Sequence, residues 1–401
     1  MEKLKIGVIG LGGRGTYHAV TLASMSKDPS FPYELEVVAL CDVYLDRVEA
    51  ATAAVKEKTG IAPSAYTNEN DFLNDEKLQA IIIATSWQTH ISIAVKAMKK
   101  GIRPAIECGG ASNLDECFKL VSTYEETGVP CMFLENCNYG REEMALLNMT
   151  EKGVFGELIH IQCGYQHDLR TIATSWESRH YRLDHHLHRN GDFYPMHGLG
   201  PMMKLLKIFK GNRFTSLVSV SSKARGIKEW AKEHLPADHH IQNKTINQGD
   251  IITTVLKAAN GETLLLTHDT TLPRPYSRAG RVQGTKGIWM EDNASIYIEG
   301  ISPSHTWENF HDFIKKHGYE HPIWETYQKS DIPAGYDGHG GMDFLVVREF
   351  VKSAAEKSEP PIDTYEAALL GAITPLSEKS IATGSHPVEI PDFTHGLYLT
   401  R

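Results

Sequence analysis

The sequence predicts two domains in tandem. The first is an α/β domain built on a doubly wound parallel sheet, and the second an α+β domain with a large open, mostly antiparallel sheet. Three observations carry this. Apolar, strand-like runs alternate with helix-length segments from Leu4 to Leu134, which is the pattern of βα repeats. From about Glu157 the texture changes to longer alternating strands bounded by turns, as an open antiparallel or mixed sheet requires. The 401 residues also exceed what one compact core usually holds. The division is expected near residue 137, giving domains 1–137 and 138–401, with the C-terminal helices packing back on the first domain.

The first element is the apolar run Leu4-Lys-Ile-Gly-Val-Ile, which feeds into Gly10-Leu-Gly12-Gly-Arg14-Gly15 and then a helical segment. In that order, Gly10 permits a tight strand-to-helix turn, Gly12 lets backbone approach a pyrophosphate, and Gly15 allows close helix–strand packing. The free N–H groups and positive dipole end of the helix then face the phosphates. This is a Rossmann-type dinucleotide site. The second strand, Leu35 to Cys41, ends in Asp42, 27 residues after Gly15. A carboxylate at that strand tip accepts hydrogen bonds from ribose hydroxyls and repels a 2′-phosphate, which favours NAD over NADP. The plainer alternative is a cap for the helix Leu45 to Lys58.

The third strand, Leu78 to Thr85, is followed by the loop Ser86-Trp87-Gln88-Thr89-His90, a helix (Ile91 to Lys100) and the strand Arg103 to Cys108. A helix (Leu114 to Thr127) and the strand Pro130 to Leu134 complete five repeats. Ligands in such sheets sit at the carboxyl ends of the strands, so Trp87, His90, Glu107 and Asn136 are expected around the nicotinamide. Beyond Asn136 come a helix (Arg141 to Lys152) and strands at Glu157 to Gly164, Ser216 to Ser222, Asp250 to Ala258 and Glu262 to Thr270. Further strands fall around Val282 to Gly287 and Ala294 to Ile298, and the last third returns to helix. The hydrophilic stretch Ala224 to Asn247 reads as a surface insertion.

Composition excludes several functions. A net charge of −9 with no long basic run argues against a nucleic-acid partner. No apolar run approaches the roughly twenty residues that span a bilayer. The six cysteines (Cys41, Cys108, Cys117, Cys131, Cys137, Cys163) form no C-x-x-C pair, so free buried thiols in a reducing compartment are expected. A strand starting by Leu4 leaves no room for an export signal, and the chain as given is expected to be cytoplasmic; a chain trimmed of such a signal would look the same.

A dinucleotide domain followed by an open sheet is expected to place a substrate pocket between them. Its candidate lining is polar and aromatic: Tyr165-Gln-His167-Asp168, then Trp176, Arg182, and Tyr194-Pro-Met-His197-Gly198, and later Pro273-Arg-Pro-Tyr276-Ser277. The Tyr-Pro-Met-His stretch opens a predicted helix (Pro201 to Phe209), and a helix N-terminus favours the neutral imidazole that can act as a base. Asp184-His185-His186-Leu187-His188 and His239-His240 lack the i, i+4 histidine pair of a helical zinc site, so a hydrated histidine-rich loop is expected and no metal. Asp343, in His339-Gly-Gly-Met-Asp343, is expected to cap a helix and pack the domains. No G-x-S-x-G elbow is present, which argues against nucleophilic acyl chemistry.

The glycine loop, Gly153-Val-Phe-Gly156-Glu157, Gly284-Thr-Lys-Gly287 and the ending Pro387-Val-Glu-Ile-Pro-Asp392 resemble the glucose–fructose oxidoreductase and inositol dehydrogenase superfamily. Most members carry Glu-Lys-Pro where this chain has Glu107-Cys108-Gly109, so the lysine of an ordinary sugar dehydrogenase is missing. A narrower resemblance, to glycoside hydrolase family 109, the NAD-dependent α-N-acetylgalactosaminidases, runs through Asn136-Cys-Asn-Tyr139-Gly-Arg141, Gly164 to Leu169, Arg189-Asn-Gly191, Tyr194 to Gly198, Ser222 to Gly226 and Pro273 to Tyr276. Met196 stands where that family usually has threonine.

That resemblance implies that Gly10, Gly12, Arg14, Gly15, Asp42, Trp87, Gln88, Thr89, His90, Glu107, Cys108 and Asn136 hold NAD. It also implies that Tyr165, Arg182, Tyr194, His197 and Tyr276 line a sugar or glycan site. The implied reaction removes terminal α-linked N-acetylgalactosamine, or a related sugar, through transient oxidation at C3, with NAD tightly bound and not consumed. His197 near O3 and Tyr276 as the C2 base are the implied catalytic pair, and the two assignments can be exchanged. A tyrosine base needs its pKa, near 10 in model peptides, lowered by a neighbouring charge such as Arg182 or the nicotinamide. The alternative is an NAD-dependent sugar or polyol dehydrogenase with net hydride transfer. A homo-oligomer through the second sheet is an expectation from related proteins.

Overall fold

The computed structural model describes residues 3–175, 179, 181–329 and 338–401. They fall into two compact units, each discontinuous in sequence. One comprises residues 1–136 and 332–371, and the other 137–331 and 372–401. Trp176 lies outside the described residues.

The first unit is built on β1 (Leu4–Ile9), α1 (Gly13–Met25), β2 (Leu35–Cys41), α2 (Leu45–Thr59), β3 (Ser64–Tyr66), α3 (Glu69–Leu73), β4 (Ala80–Ile83), α4 (Trp87–Lys99), β5 (Arg103–Ile106), α5 (Leu114–Thr127) and β6 (Met132–Phe133). The strands form one sheet in the order β3-β2-β1-β4-β5-β6, and every adjacent pair is parallel. The near-continuous apolar runs follow from burial on both faces: Ile6, Val8, Ile81, Ile82 and Ile83 are all buried. The strand order reverses between β1 and β4, and a dinucleotide binds at such a switch point. One predicted boundary shifts. Trp87 to His90, expected as a loop, form the first turn of α4.

The second unit opens with α6 (Arg141–Glu151), β7 (Leu158–Gln166), α7 (Arg170–Thr174), α8 (Arg182–His188), α9 (Met196–Leu205), β8 (Phe214–Ser221) and α10 (Gly226–His234). It continues through β9 (Ile251–Ala258), β10 (Thr263–Asp269), β11 (Arg281–Gly284), β12 (Gly287–Met290), β13 (Ser295–Ile298), β14 (Glu308–Asn309), α11 (Phe310–His317) and α12 (Pro322–Lys329). The chain then supplies α13 (Met342–Glu356), which belongs to the first unit, α14 (Thr364–Ala382), in which the division falls, and β15 (Val388–Glu389). The nine-stranded sheet runs β14-β13-β12-β11-β7-β10-β9-β8-β15, with only the β7–β10 pair parallel. It is therefore open and mostly antiparallel, as expected.

Three local expectations are corrected. Asp184 to His188, expected as a hydrated loop, lie in α8, where His185 and His186 are buried. The helix after Tyr194 starts at Met196 and carries Pro201 inside it. The stretch 224–247 holds α10 and a short 3-10 turn, and Ile227, Ala231 and Ile241 pack with Leu183 in a small core of their own. All six cysteines are buried and none is in a disulfide.

Candidate active site

In the first unit the glycine loop has the geometry its residues predicted. Gly10 has φ +87°, and a Cβ there would lie 2.5 Å from the Ala84 carbonyl carbon, so only glycine fits against the end of β4. A Cβ on Gly15 would lie 1.6 Å from the Gly10 carbonyl oxygen. At Gly12 the nearest atom to a Cβ is the Arg47 guanidinium, 3.7 Å away, so space remains in front of α1. Gly12 is the N-cap and no side chain caps the helix, which leaves the first N–H groups to an anion. This open cradle at a switch point fits a dinucleotide pyrophosphate.

Asp42 accepts hydrogen bonds from the Leu11 backbone N–H at 2.6 Å and the Tyr44 N–H at 2.9 Å, which ties the tip of β2 to the glycine loop. It does not cap α2, whose N-cap is Tyr44. Trp87 is buried over Gly109, where a Cβ would fall 2.2 Å from the indole; this explains glycine after Cys108. His90 places Nε2 2.9 Å from the Thr85 carbonyl, and burial lowers its pKa, so it sits neutral at the end of β4. Thr89 and Thr85 share a hydroxyl–hydroxyl bond of 2.7 Å, while Gln88 is exposed. The Cys108 thiol lies 3.2 Å from the buried Glu135 carboxylate.

Arg14, Glu107 and Asn136 come together. Arg14 donates from Nη2 to Glu107 at 2.8 Å and from Nη1 to Asp343 at 2.7 Å, and Asn136 Nδ2 donates to Asp343 at 2.7 Å. His18, fully buried, meets the same Glu107 oxygen at 2.5 Å. Burial alone would raise the Glu107 carboxyl, but Arg14 and His18 overcome it and hold the group well below the carboxylate range. Asp343 was expected to cap α13. The cap is Gly341, with no side-chain bond, and the Asp343 carboxylate is given over to this network.

In the second unit three predicted residues gather around a fourth, Tyr165. Its ring lies 4.7 Å from Tyr194, 5.3 Å from His197 and 6.1 Å from Tyr276, centroid to centroid. Two glycines make this approach. Gly198, beside His197, packs so tightly on Gly164, beside Tyr165, that a Cβ on it would fall 2.4 Å from the Gly164 nitrogen. The first turn of α9 is thereby laid on β7. Tyr276 reaches the cluster through paired backbone bonds between Ser277 and Gln166. Tyr194 is set by a turn in which its N–H donates to Asp192 Oδ1 at 3.1 Å. The Arg189-Asn-Gly191 stretch is docked on α14 by a bidentate Arg189–Glu378 pair at 2.6 and 2.9 Å.

The charge around the phenols departs from expectation. The Arg182 guanidinium stands 5.0 Å over Tyr194, and the one beside Tyr276 is Arg278, with Nη1 3.4 Å from its hydroxyl. Partial burial still pushes the Tyr276 phenol well above its ordinary value, and Arg278, itself bonded to Glu143, only opposes that rise. Sequence reasoning left Arg278 out, although it stands two residues from Tyr276. His167, one of the candidate lining residues with no role assigned to it, has its Nδ1 3.2 Å from the Tyr165 hydroxyl, as strand period two allows.

Comparison with known proteins places the chain. The signature of the glycosyl hydrolase 109 C-terminal domain matches residues 139–400, and that of an oxidoreductase family with an NAD-binding Rossmann fold matches residues 4–134. The α-N-acetylgalactosaminidase of Tannerella forsythia is 38% identical over 99% of this chain and 88% of its own length. A family 109 protein of Stenotrophomonas maltophilia (strain K279a) is 40% identical over 100% of this chain and 91% of its own. The chain belongs to glycoside hydrolase family 109.

For this family 109 chain, solved structures at low identity speak to the fold alone. Levoglucosan dehydrogenase in complex with NADH and levoglucosan superposes with a TM-score of 0.73 at 18% identity, covering 98% of this chain and 100% of that one. The myo-inositol dehydrogenase of Lactobacillus casei gives 0.65 at 15%, covering 99% and 100%. The family 109 chain is thus a glycosidase with an NAD-binding Rossmann domain.

Proposed function

We propose that this enzyme releases terminal α-linked N-acetylgalactosamine, or a related sugar, and retains its NAD throughout. The observation that carries the reading is the convergence of Tyr165, Tyr194, His197 and Tyr276 in a member of family 109 whose position 108 holds a thiol rather than an ammonium. In the first unit, Gly10, Gly12, Gly15 and Asp42 would hold the dinucleotide. When bound, NAD supplies a hydride acceptor for C3 of the sugar that can return the hydride within the same turnover, so that C2 is acidified in between.

The chain's own residues then handle protons. The C2 proton must be removed as the C1 aglycone leaves, and water must add to the resulting enone. The raised phenol of Tyr276 favours the exchanged assignment, in which Tyr276 enters protonated as a donor and His197 accepts. Tyr165, hydrogen-bonded to His167, offers a second phenol–imidazole pair beside them. No pair of carboxylates is required to flank the glycosidic bond, unlike in the common glycosidase mechanisms.

The test is p-nitrophenyl α-N-acetylgalactosaminide incubated with the enzyme and no added NAD. Aglycone release without accumulation of NADH, and entry of solvent deuterium at C2 of the released sugar, are expected. Stoichiometric NADH from free sugar plus added NAD would instead identify a net sugar oxidoreductase. Tyr276→Phe is expected to lower turnover at least about a hundredfold while NAD stays bound; unchanged turnover removes Tyr276 from the catalytic set.

A further inference from the structure

Asp343 is buried to 1% exposure in the first turn of α13, 329 residues downstream of Arg14 and 207 downstream of Asn136, both of which it binds. Its two oxygens gather donors from two strand ends of the parallel sheet, and one of those donors leads on to a third. Arg14, in the first turn of α1 where the glycine loop leaves β1, reaches it with Nη1 at 2.7 Å and Nη2 at 3.2 Å. Asn136, shortly beyond β6, donates at 2.7 Å. Through Arg14, which also bonds Glu107 at the end of β5, the same carboxylate is coupled to that strand. His339 Nδ1 completes the set at 2.7 Å. These are the carboxyl ends at which a doubly wound sheet takes its ligand.

The chain distorts itself to deliver this group. His339, Gly340 and Gly341 all have positive φ, at 49°, 67° and 97°, immediately before α13. A Cβ on Gly338 would fall 2.2 Å from the Tyr17 hydroxyl and 2.8 Å from Asp343 Oδ2. A non-glycine residue in the left-handed region costs free energy and persists only where its surroundings fix it.

The charge balance narrows the role. One guanidinium faces two carboxylates, each of which also meets a histidine, so the charge of Arg14 is answered within the cluster and is not turned to a phosphate. Its contribution is geometric: both of its edges are occupied, and the loop that carries it is fixed in place. The uncapped N–H groups of α1 are then left to bind the anion.

We propose that Asp343 is a positioning residue of the cofactor cradle, which acts through Arg14 to lock the glycine loop against the ends of β5 and β6. This rests on the reading that the first unit holds NAD. The test uses the full chain stripped of nucleotide and retitrated with NAD by calorimetry, with the apoprotein melt recorded alongside. Asp343→Asn, which keeps the shape and one acceptor oxygen, and Asp343→Leu are both expected to bind NAD at least about tenfold more weakly than wild type, with the apoprotein still melting cooperatively.

Coupling supplies the readout that general loosening would not give. If Asp343 acts through Arg14, the Arg14→Met/Asp343→Leu double variant binds NAD no more weakly than Asp343→Leu alone. Losses that add, or NAD affinity within twofold of wild type in Asp343→Asn, overturn the proposal. A wild-type chain that takes up no NAD overturns the cofactor reading, and this proposal with it; equal binding by wild type and variants overturns this proposal only.

Discussion

Asp42 performs two tasks with one carboxylate. It holds the backbone N–H groups of Leu11 and Tyr44, and it lies 3.8 Å from the Arg47 guanidinium, which stacks over Tyr44 at 4.8 Å. An arginine beside the proposed ribose site is the feature that accommodates a 2′-phosphate, so a preference for NAD would rest on the negative charge of Asp42. Asp42→Asn keeps an acceptor for the backbone and removes that charge. We expect the ratio of NADP to NAD dissociation constants, measured by titration of the stripped protein, to fall about tenfold or more, and to rise again when Arg47→Ala is added. A ratio that stays fixed shows that the carboxylate does not discriminate. Residues of this kind were legible because backbone chemistry demands them: a glycine at positive φ, or a carboxylate at a strand tip. Arg278 was not, and neither were the partners of Asp343 and His167, because tertiary approach chooses them and nothing local marks them.

Elements were legible where periodicity is strong. The buried strands of the parallel sheet read directly, whereas the first turn of α4 and the whole of α8 did not. A run of Asp, His and His looks hydrated in sequence, yet α8 buries His185 and His186, the latter packed on Phe193 at 5.8 Å. Burial, with help from Arg189 and Arg182, lowers His185 to about 4, and burial with His268 and Arg182 beside it lowers His186 to about 3. Unfolded histidines titrate near 6.5. Between these values the unfolded chain binds more protons, so stability is full above about pH 6.5 and is lost as pH falls toward 4 and 3. His186→Phe keeps a ring against Phe193 and removes one titrating group. Denaturant midpoints taken from pH 7 to 4 are expected to show a shallower loss of stability, by up to about 1.4 kcal/mol per pH unit. The same slope in both proteins would mean that His186 does not stay neutral in the fold.

The scale at which sequence order misleads most is the whole chain. A boundary near residue 137 follows from the change in pattern, and the C-terminal helices were expected to return to the first domain; residues 332–371 group with residues 1–136 as one unit, so the linear bounds alone do not describe it. Phe133 N–H bonds the Ile362 carbonyl at 3.0 Å, and Cys131 N–H bonds Thr364 Oγ1 at 2.9 Å. From α13, Phe344, Leu345, Val346, Val347, Phe350 and Val351 are buried. At roughly 1.5–3 kcal/mol for each such side chain, their burial contributes on the order of 10 kcal/mol. That equals the whole stability of an ordinary domain, about 5–15 kcal/mol. A fragment ending at Asn136 should therefore show no cooperative melt and should hold no NAD. Asn136 already touches Asp343, so a short Gly/Ser linker suffices to join residue 136 to residues 338–371. We expect that fusion to melt cooperatively and to bind the dinucleotide. If the bare 1–136 fragment melts cooperatively and binds NAD as tightly as the fusion, the returning segment is dispensable, and the fold of the first unit is set by its five βα repeats alone.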